Sequence, residues 1–348
     1  LGPAAAALAA GNRVMLKPSE LTPRTSEWIA REVSRRFSAD EFCVVPGDAT
    51  LAAQFASLPF DHLFFTGSTA VGRKVAQAAA ANLTPTTLEL GGKSPAILDR
   101  GADLDRAAMS LAHGRLFNGG QTCIAPDHVW LREGLEEAFL PAYWTAVHRL
   151  FPTIEGNPDY TSILDVRHRQ RLDALLAEAQ DGGATVLTAG GPWSRHPSPG
   201  EVRQMAPTVV LGARPGMRVV EEEIFGPILP VLTWQEKDEL IESINARPRP
   251  LALYWFGPDQ RVRAEVLART VSGGVTVDDT LLHIAHENLP FGGVGASGWG
   301  AYHGETGFLR FSHQKSVLIR SRWSQTHRFF PPYGPDVTRL LGWVRRLL

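Results

Sequence analysis

The sequence predicts an α/β protein built from two parallel-sheet domains and a C-terminal segment. Short apolar, strand-like runs alternate with amphipathic helical stretches along most of the chain. With 348 residues the chain is long enough for two cores. Glycine-rich turns fall where strand-like runs end, the usual ligand side of such sheets. Formal charge is balanced, with 35 basic and 36 acidic side chains, so neither nucleic acid nor an anionic membrane is expected as main partner. Two cysteines cannot build a disulfide framework, and a reducing compartment, the cytoplasm, is the expected location. No apolar run approaches the roughly 20 residues needed to span a bilayer.

The elements follow in order. Gly2 to Ala10 reads as a helix, with Pro3 in its first turn and Gly11 at its end. Such an apolar helix needs a packing surface, and together with the opening Leu1 it gives the expectation of a fragment lacking an upstream part. Arg13–Lys17 is a strand, and Thr22-Pro23 opens a helix with Ile29, Val33 and Phe37 on one face. Strand Phe42–Val45, helix Ala49–Ser57, strand His62–Thr66, helix Ala70–Asn82 and strand Thr86–Leu90 complete a first parallel sheet with right-handed crossovers. A second domain starts near Gly91-Gly92. Its expected strands are Pro95–Asp99, Asp127–Leu131, Ala184–Leu187, Thr208–Leu211, Ile228–Thr233, Leu251–Phe256 and Gly274–Asp278. Its expected helices are Leu104–Leu116, Leu135–Leu150, Val166–Gln180, Gln235–Ala246 and Gln260–Val271. Gly190–Gly200 reads as a surface loop and Lys315–Ser321 as an edge strand. The divisions expected are residues 1–91, 92–305 and 306–348.

Two stretches carry chemistry. In Asn118-Gly119-Gly120-Gln121-Thr122-Cys123, two glycines make room beside a thiol for an electrophile. In Leu88-Glu89-Leu90-Gly91-Gly92-Lys93, a carboxylate stands between leucines, an apolar setting that raises its pKa and suits it to proton abstraction. Nucleophile and base together are the parts of covalent catalysis. An interdomain cleft would hold both. The turn Phe65-Thr66-Gly67-Ser68-Thr69 joins a strand to a helix. It is either a phosphate cradle at a helix N-terminus or an ordinary tight turn. It matches neither the G-x-G-x-x-G fingerprint nor a P-loop. Lys17 and Glu20, at a strand end, are either ribose contacts or a solvated turn pair; as a ribose contact Glu20 disfavours a 2′-phosphate and favours NAD over NADP.

Other groupings carry less. His283, His286 and Glu287 lack the His-Glu-x-x-His spacing, and loop hydrogen bonding or pocket lining is expected of them rather than metal binding. Cys43 lies in an apolar strand, where burial is expected. His113 and His128 flank Cys123 in sequence, but without a third partner they make a weak case for a Cys–His hydrolase. Val337–Leu348 reads as a basic amphipathic helix, for a membrane surface, the protein's own body or a second subunit.

Along nearly its whole length the chain resembles the NAD(P)-dependent aldehyde dehydrogenases. The resemblance rests on Lys17–Glu20, Phe65–Ser68, Leu88–Lys93, Gly120–Cys123, Glu222–Pro227 and Pro290–Val294, six blocks in order. Asp278–His283, Ala301–Gly304 and Phe311–Ser316 are most similar to the coniferyl aldehyde dehydrogenase group. The resemblance implies a Rossmann-like cofactor domain, a catalytic domain and a C-terminal strand that pairs subunits in a homodimer. It implies Cys123 as nucleophile, passing through a thiohemiacetal and a thioester, and Glu89 as the base that activates water. It further implies Lys17 and Glu20 at the adenosine ribose and Gly67 and Ser68 at the pyrophosphate. Leu90 lies near the nicotinamide in the family, with Glu223 on its ribose and Phe225 beside the ring. No metal is implied. NAD is the expected cofactor, with NADP admitted, and a coniferyl or other hydrophobic aldehyde the expected substrate. The alternatives are a fatty aldehyde dehydrogenase and a non-catalytic fragment that still binds nucleotide. In the family the oxyanion is held by the nucleophile's own N–H and by an asparagine in a Pro-Trp-Asn type motif, which this sequence lacks.

Overall fold

The computed structural model describes residues 1–189, 191–192 and 203–347. The stretch read as a loop, 190–200, lies outside them apart from 191 and 192. In chain order the elements begin with α1 (Gly2–Ala9), β1 (Val14–Leu16), α2 (Pro23–Ser34), β2 (Phe42–Val44), α3 (Ala49–Ala56), β3 (Leu63–Thr66), α4 (Thr69–Ala80) and β4 (Thr86–Glu89). They continue with β5 (Pro95–Leu98), α5 (Leu104–Leu116), β6 (His128–Arg132), α6 (Glu136–Leu150), α7 (Val166–Asp181), β7 (Thr185–Thr188), β8 (Gly191–Pro192), β9 (Thr208–Leu211) and α8 (Arg218–Glu221). The remainder is β10 (Ile228–Trp234), α9 (Lys237–Asn245), β11 (Ala252–Phe256), α10 (Gln260–Arg269), β12 (Gly274–Val277), β13 (Gly298–Trp299), α11 (Gly304–Arg310) and α12 (Pro335–Val344).

Helix starts follow local chemistry. Asp48, Asp103, Asp165 and Asp259 each accept a backbone N–H of the first turn of the helix that follows, and Ser68 does the same for α4. Such a cap contributes about 1 kcal/mol. Gly11 follows α1 at φ 82°, a left-handed position where glycine meets no Cβ penalty. The packing surface that α1 requires is α11, where a β-carbon at Gly307 would lie 3.2 Å from Ala6 Cβ.

Among the described residues the strands form three sheets. β1 pairs with β2, and β3 with β4, both in parallel. The large sheet runs β12-β11-β5-β6-β10-β9-β7-β8, parallel except where β7 meets β9 and β8. The change of sheet between β4 and β5 falls at Gly91-Gly92, where the sequence suggests a boundary. β13 was not foreseen. It returns from beyond the second sheet to pair antiparallel with β4, Gly298 opposite Glu89. Two residues are too few to carry a period-2 pattern, so the sequence gives no sign of it. β5, β6 and β11 are buried through the centre, with α5 and α6 on one face and α9 and α10 on the other.

The chain forms two compact units, Leu1–Phe311 and Ser312–Leu348. In the second, residues 313–320 are exposed and join no sheet, so the edge strand expected at Lys315–Ser321 does not form within the chain. A strand needs a ladder partner for its N–H and C=O groups, and none of the described residues provides one there. α12 has no buried residue. No helix among the described residues is long and apolar enough to cross a membrane.

Candidate active site

Just beyond α5, after Phe117, come three successive left-handed residues, Asn118 (φ 53°), Gly119 (φ 63°) and Gly120 (φ 76°). Asparagine and glycine are the residue types that accept this conformation most readily. Gly120 is further constrained, because a β-carbon there would collide with the Gly226 carbonyl and approach the Arg115 carbonyl to 2.9 Å. Gln121 anchors the turn by donating to Ser162 O at 3.0 Å and accepting from Leu164 N at 2.8 Å. The chain then turns through Cys123 into β6, leaving the thiol half-buried.

Glu89 ends β4, 3% exposed, and neither carboxylate oxygen has a hydrogen-bond partner. Burial pushes its pKa from 4.5 to about 8. A buried, unpaired carboxyl of this kind holds its proton to near-neutral pH, and once ionised it is a stronger base than an exposed carboxylate. Glu223 lies on the loop between α8 and β10, its pKa raised to about 7 by burial and then by the charge of Asp127, while the Gly92 N–H bonded to it opposes the rise. Cys123 feels both carboxylates. Burial first, then Glu223 and Glu89, push its thiol up to about 11, against backbone N–H groups of Cys123 and Ile124 that favour the thiolate. The fold therefore brings Cys123, Glu89 and Glu223 into one electrostatic neighbourhood. Phe225, two residues beyond Glu223, has φ 52°, a backbone state that is strained for a non-glycine residue.

The residues fit a dinucleotide. Thr66, Gly67 and Ser68 form an exposed turn at the N-terminus of α4, the end of a helix that favours an anion. Gly72 brings that helix onto Leu90, since a β-carbon there would lie 2.6 Å from Leu90 Cδ2. Leu90 is buried and its N–H donates to Ser297 O at 3.1 Å. Gly67 N is not free for a phosphate, because it donates to Glu89 O at 3.1 Å. Lys17 and Glu20 follow β1 and bond each other at 2.6 Å, so a ribose would be met by a preformed pair. The Lys17 bond holds Glu20 below its ordinary pKa.

The other groupings resolve differently. His283 Nδ1 bonds Thr276 Oγ1 at 2.8 Å and its ring stacks on Phe291; burial lowers its pKa to about 4. Among the described residues no cluster of three or more His, Cys, Asp or Glu could hold a metal. His113 is exposed, and His128 is buried in β6, its pKa lowered by burial and by Lys93, Arg247 and Arg115. Cys43, expected to be buried, is only half-buried in the two-stranded sheet that β1 and β2 form among the described residues.

Sequence reasoning missed a buried network beneath the site. Asp127 accepts from Lys93 Nζ at 2.6 Å, Arg115 Nη1 at 2.9 Å and Ile224 N at 3.2 Å. From α7, Arg171 donates to the carbonyls of Glu223 and Ile224. A signal was present: Asp127 is a lone charge in an otherwise uncharged run, Ile124 to Leu131, which implies a buried and paired carboxylate.

Comparison with known proteins places these features in context. Residues 1–317 match the model of the aldehyde dehydrogenase family. A probable coniferyl aldehyde dehydrogenase of Caulobacter vibrioides is 46% identical over 342 residues, covering 98% of this chain and 70% of that protein. A substrate-bound AldH of Staphylococcus aureus superposes with a TM-score of 0.90 at 38% identity, covering 99% of this chain and 73% of its own. An indole-3-acetaldehyde dehydrogenase complexed with NAD+ superposes with a TM-score of 0.82 at 29% identity, covering 91% and 64%.

Proposed function

We propose, from the premise that this chain belongs to the aldehyde dehydrogenase family, that it oxidises a hydrophobic aldehyde of the coniferyl or cinnamyl type to its carboxylic acid with NAD. The observation that carries the proposal is the shared setting of a half-buried thiol, Cys123, and a buried, unpaired carboxyl, Glu89. The substrate class is taken from the similarity to the Caulobacter protein.

Cys123, once it has released its thiol proton to solvent, adds through Sγ to the aldehyde carbon as the carbonyl π electrons move to oxygen, and the Cys123 N–H is a donor to the oxyanion of the resulting thiohemiacetal. Loss of hydride from that carbon leaves a thioester. Glu89, in its ionised form, then takes a proton from water, the water oxygen bonds to the thioester carbon, and the C–S bond breaks, releasing the acid and restoring Cys123 as the thiolate. NAD(P), when bound, supplies the hydride acceptor. Lys17 and Glu20 would hold its adenosine ribose, Gly67 and Ser68 its pyrophosphate, and Glu223 the nicotinamide ribose, with Leu90 and Phe225 beside the ring. Glu20 favours NAD because a 2′-phosphate would meet a carboxylate held in its charged form.

We assign residues 1–91 to the cofactor domain, 92–305 to the catalytic domain and 306–348 to a pairing segment; the change of sheet at Gly91-Gly92 supports the first boundary. A homodimer is part of the proposal, supported by Val317, Leu318 and Ile319, which are 71%, 95% and 87% exposed. The test is NADH formation by the purified chain with coniferaldehyde and with a long-chain aliphatic aldehyde, Cys123→Ala serving as blank. Preference for coniferaldehyde supports the substrate class. Preference for the aliphatic aldehyde replaces it, and Cys123-independent NADH sinks the mechanism.

A further inference from the structure

The chemistry above leaves a buried arginine and aspartate without a role. Arg115, in the last turn of α5, has no exposed surface. Its Nη1 donates to Pro126 O at 2.9 Å and to Asp127 Oδ1 at 2.9 Å. Its Nη2 donates to Gly120 O at 3.2 Å and to Gly226 O. One planar guanidinium thus grips both ends of the 120–126 loop that carries Cys123, and also the carbonyl just beyond Phe225. Asp127 completes the connection. Its carboxylate takes the Ile224 N–H, next to Glu223, and the Lys93 ammonium, four residues beyond Glu89. Lys93 in turn donates to Val219 O at 2.7 Å, on α8.

A buried ion pair is a poor device for stability alone, since apolar groups of similar volume often serve as well. A guanidinium offers something they lack: donors in a fixed plane that meet several carbonyls at set angles. Here those carbonyls belong to the two segments whose separation matters for hydride loss. The Cys123 loop carries the sulfur, and the Glu223–Gly226 segment carries the residue assigned to the nicotinamide ribose.

We propose that Arg115 and Asp127 are positioning residues that lock the Cys123 loop in register with the Glu223 segment. The proposal rests on the reading of Cys123 as nucleophile and Glu223 as ribose contact. Neither residue touches substrate. Each acts by keeping sulfur and cofactor side at one separation, and a misplacement of about 1 Å costs on the order of 100-fold in rate.

The test uses the full 348-residue chain carrying Arg115→Lys or Asp127→Asn. Val266→Ala, in the separate core on α10, is the control for lost stability alone. Affinities for NAD and for AMP are measured by equilibrium dialysis, and kcat is taken per folded molecule. The expected result is a kcat about 100-fold lower, with NAD binding about 10-fold weaker and AMP binding unchanged, because AMP occupies only the Lys17 and Glu20 end. Val266→Ala should melt earlier yet match the unmodified chain in all three readings. The proposal is overturned if either clasp variant keeps kcat within about threefold of the parent. It is equally overturned if AMP and NAD binding fall together. Should both variants fail to fold, hydrogen exchange of the unliganded parent decides. The Ile224 amide should exchange as slowly as amides of β6, and exchange at the rate of exposed loops would refute the clasp. A parent chain that neither binds NAD nor forms NADH would instead refute the underlying functional reading.

Discussion

Gly91 leaves the space that the Glu223 carboxylate fills: a β-carbon at Gly91 would collide with both carboxylate oxygens, and the next amide, Gly92 N–H, is bonded to that carboxylate. The glycine pair after Glu89 is therefore a seat for the residue assigned to the nicotinamide ribose. Gly91→Ala should displace Glu223 and weaken NAD binding by about 10-fold while leaving AMP binding at the parent value. Equilibrium dialysis with both ligands checks this, and equal loss of both affinities would contradict the seating.

Glu89 and Glu223 make stability fall as pH rises. Their folded pKa values, about 8 and about 7, lie above the ordinary 4.5. Between pH 4.5 and about 8 the unfolded chain has released these protons while the folded chain still holds them. Ionisation then favours unfolding progressively across that window. Glu89→Gln removes its share, so the melting temperature of this variant should decline less than that of the parent from about pH 5 to pH 8. Parallel profiles would show that Glu89 is not buried in its neutral form.

The Cys123 thiol, pushed up to about 11, should be alkylated slowly at neutral pH and progressively faster as pH rises. Part of that elevation comes from Glu223, which is charged only above about pH 7. Glu223→Gln should therefore speed iodoacetamide labelling severalfold near pH 9 and leave it unchanged near pH 6. Mass spectrometry of the Cys123 peptide reads the rates. A uniform change at both pH values would mean that the substitution acts through structure and not through charge.

Glu20 should set the preference between the two dinucleotides. Glu20→Ala removes a carboxylate that is held charged beside Lys17. The ratio of kcat/KM for NADP to that for NAD should rise about 10-fold. An unchanged ratio would return Lys17 and Glu20 to the role of a solvated turn pair.

Much of this was legible in the chain. The alternation of apolar runs gave the strands and the parallel sense of their pairing, but the first four do not make the single sheet expected: β1–β2 and β3–β4 belong to separate sheets, a long-range choice that the local pattern does not encode. Cys123 and Glu89 stood out because a thiol behind glycines and a carboxylate between leucines are unusual local chemistry. Long-range partnership was not legible. Nothing near Arg115 says that its guanidinium reaches Gly226, and nothing near Glu89 says that Gly298 pairs opposite it. Glu223 and Phe225 were reached only through resemblance, since a carboxylate in a run of three glutamates looks like any solvated surface. Its burial depends on Gly91 and Asp127, both distant in sequence. Lys315–Ser321 has strand-like composition but no ladder partner among the described residues.

The most direct measurement is the intact mass of Glu89→Gln after incubation with coniferaldehyde and NAD. With carbon–sulfur bond formation at Cys123 and hydrolysis driven by Glu89, one equivalent of NADH is expected, then a stalled protein carrying the acyl group on Cys123. Steady turnover by Glu89→Gln, or an unmodified Cys123 after NADH has formed, would contradict it.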